Sequence, residues 1–272
     1  MSKPDKIQMV VFDWAGTTVD YGSSAPGDVF DRVFASAGIH LTKEEINRPM
    51  GMEKKAHIRE LLSCASGNRQ WAEVYKRAWT EADVENLYHE FEKMLSQVVA
   101  EYSVPLPGAV ETVEELRRRG LKIGSTTGYN AQIMEQVIPR AKAMGYEADC
   151  VVTPDITKAG RPTPFMLFEC MRQLNVYPPR TVVKVGDTVV DMLEGKNAGA
   201  WSVGVLNGSN LMGLSQEEYQ AMDAGALEQR KRAVTEVYRQ AGADLVIDSI
   251  GELPRAIEEI NRRLENMEEA VQ

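Results

Sequence analysis

Cysteine and histidine are scarce in this chain, and their scarcity narrows its chemistry. The three cysteines, Cys64, Cys150 and Cys170, form no CxxC pair and no even-numbered framework. This argues against a disulfide-stapled secreted scaffold, and free thiols in the cytoplasm are expected. The three histidines, His40, His57 and His89, include no HxxxH spacing, which argues against a zinc hydrolase and leaves oxygen atoms as the expected donors for any metal. No apolar run approaches the roughly 18 residues of a membrane helix. The opening MSKPDKIQMVVFDW holds too short an apolar stretch for a signal peptide. Basic residues are outnumbered, 31 against 40, for a formal charge of −9. Neither nucleic acid nor membrane is expected as a partner, and an anionic substrate needs a local positive site to overcome the repelling field.

What the chain does contain is alternation. Met9-Val10-Val11-Phe12 is an apolar run closed by Asp13, and similar runs follow at Leu121 to Ser125, Cys150 to Thr153, Thr181 to Val185 and Trp201 to Val205. Gly, Pro or Asp ends each run, and helical periodicity then covers Gly108 to Arg119, Ala131 to Met144, Pro162 to Leu174 and Asp191 to Ala198. This pattern predicts an α/β fold, a Rossmann-like parallel sheet with helices on both faces and ligands bound beyond the carboxyl ends of the strands. Residues 22–103 depart from it. They carry a capping box at Thr42-Lys43-Glu44-Glu45, a stop at Pro49, and a long helix opened by Thr80 with Val84, Leu87, Tyr88, Phe91, Met94, Leu95 and Val98 on one face, but no convincing strand. An all-helical insert over 22–103 is expected, within a core made of 1–21 and 104–272. Gln216 to Gln240 reads as one charged, solvated helical stretch.

Four features fall at strand ends: Asp13-Trp14-Ala15-Gly16-Thr17-Thr18, Ser125-Thr126-Thr127-Gly128, Arg161-Pro162-Thr163-Pro164, and Gly186-Asp187-Thr188-Val189-Val190-Asp191. Singly they are weak, because an Asp after a strand is often only a helix cap. Together, in this order on an α/β pattern, they resemble the four motifs of the haloacid dehalogenase-like superfamily, with the helical insert as its cap domain. The resemblance implies an Asp13 nucleophile, phosphate-binding Thr127 and Arg161, and an acidic pair, Asp187 and Asp191, serving Mg²⁺. The chemistry is coherent in itself. A carboxylate can attack phosphorus and divide one hard step into two, a hard cation on carboxylates offsets the repulsion of two anions, and Thr127 with the backbone amides after the strands can donate to phosphate oxygens. The third motif more often carries Lys, so Arg161 is a departure, although a guanidinium binds phosphate bidentately.

The departure that decides the substrate class is Ala15. Phosphatases of this superfamily place a second Asp there as general acid, help worth about 10²–10⁴-fold, and a methyl group donates no proton. A carbon leaving group removes that need if its electron pair has a sink, and a protonated lysine imine is one. Two lysines qualify in Met50-Gly51-Met52-Glu53-Lys54-Lys55-Ala56-His57-Ile58. On a helical wheel started at Met52, Lys54 falls at about 200°, between Leu61 at about 180° and Ile58 at about 240°, whereas Lys55 falls at about 300° toward Arg59. Lys54 therefore shares the apolar stripe, where desolvation favours the free amine, unless it snorkels to solvent. His57 lies one turn on, as a proton shuttle or as a structural histidine.

These residues, together with Val19-Asp20-Tyr21-Gly22, Arg48-Pro49-Met50-Gly51, Gly124-Ser125-Thr126-Thr127-Gly128-Tyr129 and Ala159-Gly160-Arg161-Pro162, narrow the resemblance to the phosphonatase family within that superfamily, nearly end to end. It implies hydrolysis of a small phosphonate, phosphonoacetaldehyde, during 2-aminoethylphosphonate degradation, by a cytoplasmic homodimer. By this resemblance Lys54 forms the Schiff base and Mg²⁺ is held by Asp13, Asp187 and the Ala15 carbonyl. Thr127, Gly128, Arg161, Met50 and Tyr129 surround the substrate, and Thr188 and Asp191 stand behind the metal. Two other readings compete: a conventional small-molecule phosphatase or phosphomutase, which Ala15 opposes, and a silent binding protein, which the intact Asp13, Lys54, Arg161 and Asp187 oppose.

Overall fold

The computed structural model describes residues 6–269. The first strand, β1 (Met9–Phe12), is buried throughout. Val10 and Phe12 join one hydrophobic cluster, Met9 and Val11 another, as a strand covered on both faces requires. The chain then leaves the sheet for α1 (Ser24–Ser36), α2 (Lys43–Asn47), α3 (Lys54–Ser63), α4 (Ala65–Tyr75) and α5 (Glu81–Tyr102). It returns through α6 (Ala109–Arg118), β2 (Lys122–Thr126), α7 (Ala131–Ala143), β3 (Cys150–Val152), α8 (Pro154–Thr157), α9 (Phe165–Leu174), β4 (Val182–Gly186), α10 (Val189–Ala198) and β5 (Trp201–Val205). The last elements are α11 (Gln216–Ala221), α12 (Ala224–Ala241), β6 (Leu245–Ile247) and α13 (Leu253–Glu269).

The strands form one parallel sheet in the order β3-β2-β1-β4-β5-β6. The chain winds outward from β1 to one edge and then crosses to β4 and the other edge. The crevice where the winding reverses opens at the carboxyl ends of β1, β2 and β4, the ends that carry Asp13, Thr127 and Asp187.

The structure adds helices α8 and α13, which were not expected, starts α10 at Val189 rather than Asp191, and differs from the expected elements in three further ways. A sixth strand, β6, extends the sheet; at three residues it is too short to show a period. The expected helix from Gln216 to Gln240 is two, because the Asp223 carboxylate accepts from the Gly225 and Ala226 amides and starts a new helix. That second helix is not merely solvated: it buries Val234, Tyr238 and Ala241. Finally, α9 begins at Phe165 rather than Pro162, since Arg161 to Pro164 form a turn in which the Thr163 hydroxyl donates to the Gly160 carbonyl.

Helices α1–α5 contain no strand. The expected capping box closes α2, with Thr42 and Glu45 exchanging side-chain and backbone bonds, and α2 stops at Asn47, before Pro49. Of the expected α5 face, Val84, Leu87, Phe91 and Leu95 are buried, joined by Val99, whereas Tyr88, Met94 and Val98 lie at its margin, partly buried; Phe91 stacks on Phe30 of α1 with ring centres 4.2 Å apart. The two connections to the sheet run side by side: the Leu106 amide donates to the Thr18 carbonyl at 2.8 Å, and the Asp20 amide to the Val104 carbonyl at 3.2 Å. Asn130, at the start of α7, donates to the Tyr88 hydroxyl of α5 at 2.8 Å. The helical layer thus rests over the strand ends. Among the described residues, no helix is long and apolar enough to cross a membrane.

Candidate active site

Strand β1 delivers Asp13 into the crevice, its amide bonded to the Val185 carbonyl at 2.9 Å. The chain then turns sharply, because the amides of Thr17, Thr18 and Val19 all point at the Trp14 carbonyl. Gly16 makes this turn with φ +81°, and a Cβ there would overlap the Asp187 carboxylate, so the position demands glycine twice over. Thr17 donates to Asp187 Oδ1 at 2.9 Å and the Asn210 amide to Oδ2 at 2.8 Å. Tyr238 of α12 supports the same loop, its hydroxyl donating to the Asp187 carbonyl at 2.7 Å.

Arg161 is 4 % exposed. Its Nη2 lies 3.0 Å from Asp13 Oδ1, and its Nη1 bonds Asp191 Oδ1. Asp191 is the third residue of a capping box with Thr188, whose hydroxyl donates to Asp191 Oδ2 at 2.5 Å. Lys184 Nζ also touches Asp191 Oδ1, at 3.0 Å. Arg161 and Lys184 outweigh burial and hold the Asp191 acid down to about 2. Both of its oxygens are therefore engaged. Asp187 is in the opposite condition: burial first, then the charges of Asp13 and Asp191, push its acid well above the usual range, and it has no ion pair among the described residues. Burial also raises Asp13, against the pull of Arg161. Oxygens of Asp13, Asp187 and Asp191 lie within 4.8 Å of one another. Repelling buried carboxylates, one of them without a cation, fit a hard divalent metal, and with Asp191 held by two cations the oxygens outside an ion pair among the described residues are those of Asp187 and Asp13 Oδ2.

Lys54 and Lys55 point apart. Lys55 pairs with Glu85 at 2.8 Å on the surface, whereas Lys54 is 6 % exposed at the start of α3. Its Nζ lies 5.1 Å from the ring centre of Tyr129 and 5.8 Å from that of Phe30. Burial, then the positive charge of Arg161, lower its ammonium to about 8, with Asp13 opposing. About a tenth of it is thus free amine at pH 7, far more than for a lysine at its ordinary value of 10.5. His57 is fully buried, its ring tilted 34° against that of Phe30 with centres 4.0 Å apart, and its Nε2 donates to the Ile46 carbonyl at 2.9 Å. Burial, then Lys54, keep it neutral. It packs behind the pocket and is absent from its wall.

The pocket itself is bounded by Asp13, Ala15, Met50, Gly51, Lys54, Thr127, Gly128, Tyr129, Arg161 and Thr188, and encloses about 20 Å³, room for about one water. Nine of these ten residues, all but Gly51, were expected at the site and meet around one small space; Asp187 and Asp191 stand behind Asp13, and His57 is set back. The helical layer is closed down on the sheet: a Cβ on Gly128 would lie 2.6 Å from the Met52 carbonyl oxygen. Ser23 and Pro26 complete the wall, and neither was expected. Ser23 sits at φ 52°, a left-handed position rare outside glycine. Its hydroxyl, the Tyr129 hydroxyl and Arg161 Nε are buried without a protein partner, polar atoms suited to a compact polar ligand. A carboxylate, a guanidinium and a desolvated amine thus border one water-sized space, which has to widen before it takes an oxyanion at one end and a carbonyl at the other.

The comparisons with known proteins agree with this geometry. The sequence model of the haloacid dehalogenase-like hydrolases matches residues 7–199. A protein of Bacteroides fragilis named phosphonoacetaldehyde hydrolase is 49% identical over 259 residues, 95% of this chain and 98% of that one. A protein of Clostridioides difficile named bifunctional phosphonoacetaldehyde hydrolase/aminoethylphosphonate transaminase is 46% identical over 262 residues, 96% of this chain and 41% of that one. The crystal structure of a phosphonoacetaldehyde hydrolase-like protein from Oleispira antarctica superposes with a TM-score of 0.92 at 35% identity, covering 95% of this chain and 94% of the other.

Proposed function

The chain belongs to the phosphonoacetaldehyde hydrolase family of haloacid dehalogenase-like hydrolases, and we propose that it hydrolyses phosphonoacetaldehyde to acetaldehyde and phosphate through a Schiff base on Lys54. The observation that carries this reading is that a buried, partly deprotonated Lys54 and the Asp13 carboxylate line the same pocket, in which Ala15 replaces the acid a phosphomonoesterase would use. The transaminase joined to the Clostridioides difficile relative supports a place in aminoethylphosphonate degradation, since removing the amine from that compound yields the aldehyde.

The Lys54 amine adds to the aldehyde carbon, and the resulting carbinolamine takes up one proton from solvent and loses water to give a protonated imine. Asp13 then attacks phosphorus while Arg161 and Thr127 hold the phosphonate oxygens. As the O–P bond forms, the C–P bond breaks; its electron pair becomes the C=C bond of an enamine while the C=N⁺ π pair moves onto the Lys54 nitrogen. Protonation at carbon and hydrolysis release acetaldehyde and free Lys54, and water cleaves the aspartyl phosphate to phosphate and Asp13. A divalent cation, which we assign as Mg²⁺ on Asp13, Asp187 and the Ala15 carbonyl, would offset the repulsion between carboxylate and phosphonate. Met50 and Tyr129 line the pocket, with the Tyr129 ring beside the Lys54 amine, where they would shape the carbon end of the substrate. Neutral His57 braces the Lys54 turn against Phe30 and Ile46.

Borohydride tests the reading directly. Reduction during turnover is expected to leave an ethyl group on Lys54 and none on Lys55, read by mass spectrometry of the peptide that contains both. Labelling of Lys55, or of neither lysine with turnover intact, would overturn it. The pH profile is a second test. Because only free amine attacks, kcat/KM is expected to rise with pH through about 8 and then level off; a limb near the unperturbed value of 10.5 would mean a solvated lysine. The same shift makes the unfolded chain bind more protons between these values, so the cost of burying Lys54 is full below about 8 and relieved as pH rises.

A further inference from the structure

Strand β4 carries a charge where its neighbours Val182, Val183 and Val185 are apolar. Lys184 has no exposed surface. Its Nζ lies 3.0 Å from Asp191 Oδ1, 3.2 Å from Glu194 Oε2 and 2.8 Å from the Thr126 hydroxyl, which itself donates to Glu194 at 2.9 Å. From the pocket inward the charges alternate: Asp13, Arg161, Asp191, Lys184, Glu194. Burying ions costs several kcal/mol each, and apolar residues would fill the same volume more cheaply.

The arrangement has a consequence at the pocket end. Arg161 and Lys184 share one oxygen, Asp191 Oδ1. Without Lys184, the full charge of Asp191 would fall on Arg161, which Asp13 already pairs on its other side. Two carboxylates against one guanidinium leave little field for an incoming oxyanion. With Lys184 in place, part of the Asp191 charge is absorbed from behind, and Glu194 limits that absorption by sharing Lys184. We infer that Lys184 is a positioning residue, which through Asp191 keeps the Arg161 guanidinium available to bind the phosphonate, and that Glu194 sets how strongly it does so.

The inference rests on Arg161 holding the phosphonyl group, and its test avoids turnover so that the two readings fail separately. Inorganic phosphate is the probe, with affinity measured by calorimetry on protein supplied with Mg²⁺. Trapping of acetaldehyde on Lys54 by borohydride, at a temperature where the variant is folded, reports the rest of the pocket. Lys184→Met is expected to weaken phosphate binding by about tenfold or more, the scale of one partly buried charge interaction, with acetaldehyde trapping unchanged. Phosphate affinity within twofold of the parent would overturn the inference, as would an equal loss of both readouts, which would make Lys184 a brace for the whole site. If Lys184→Met does not fold, Glu194→Gln decides. It leaves Asp191 as the one carboxylate on Lys184, so phosphate is expected to bind about two- to fivefold more tightly; unchanged or weaker binding overturns the inference. If the chain proved inactive on phosphonoacetaldehyde, these measurements would still report on Lys184.

Discussion

Lys54→Arg is expected to abolish phosphate release from phosphonoacetaldehyde, lowering kcat by about 10⁴-fold or more. Arginine keeps the charge and nearly the reach of lysine, so any role of Lys54 as a cation steering the substrate would survive the exchange in part. A role as nucleophile would not survive, because a guanidinium stays protonated and forms no imine. The site sharpens the contrast. Lys54 is placed where its ammonium is disfavoured, by burial and by Arg161, which is poor design for a steering cation and good design for a free amine. Lys55→Arg provides the control: its ammonium lies on the surface against Glu85, and near-parental activity is expected. Phosphate release measured on both variants, with folding checked by thermal melts, decides the point. Activity in Lys54→Arg within about tenfold of the parent would end the imine mechanism.

The parts of this site that could be read before the structure share one physical property: the sheet fixes them. Asp13, Thr127 and Asp187 each follow an apolar run, and parallel strands bring their carboxyl ends to one crevice wherever the helices fall. Lys54 was legible for a different reason, because the 3.6-residue period separates it from Lys55 without any tertiary knowledge. What escaped depends on geometry with no period. Ser23 reaches the pocket through a turn in which Asp20 and Ser23 both take positive φ. The roles of Lys184, Glu194 and Tyr238 depend on how α10 and α12 pack over the sheet. The charge inside the apolar run of β4 was visible, but its partners were not. His57 shows the limit of the wheel: it shares a helical face with Lys54, yet Phe30 and Ile46 claim that side chain before the pocket does.

Asp13→Asn separates the two halves of the proposed reaction. The amide keeps the shape of the carboxylate but cannot form a stable acyl phosphate by the same attack, and phosphate release is expected to fall by about 10⁴-fold or more. Lys54 chemistry precedes that attack and should persist. Borohydride added with phosphonoacetaldehyde is therefore expected to fix a phosphonoethyl group on Lys54 in the variant, where the parent retains only ethyl, and the two adducts differ in mass by the unbroken C–P bond's phosphonate. The fold is expected to hold, because Arg161 keeps its bond to Asp191 and the change removes a carboxylate that burial and Asp191 already destabilise. An ethyl adduct in the variant would show that carbon and phosphorus part without Asp13. No adduct at all would show that the imine does not form ahead of the attack, and the order of steps would have to be reversed.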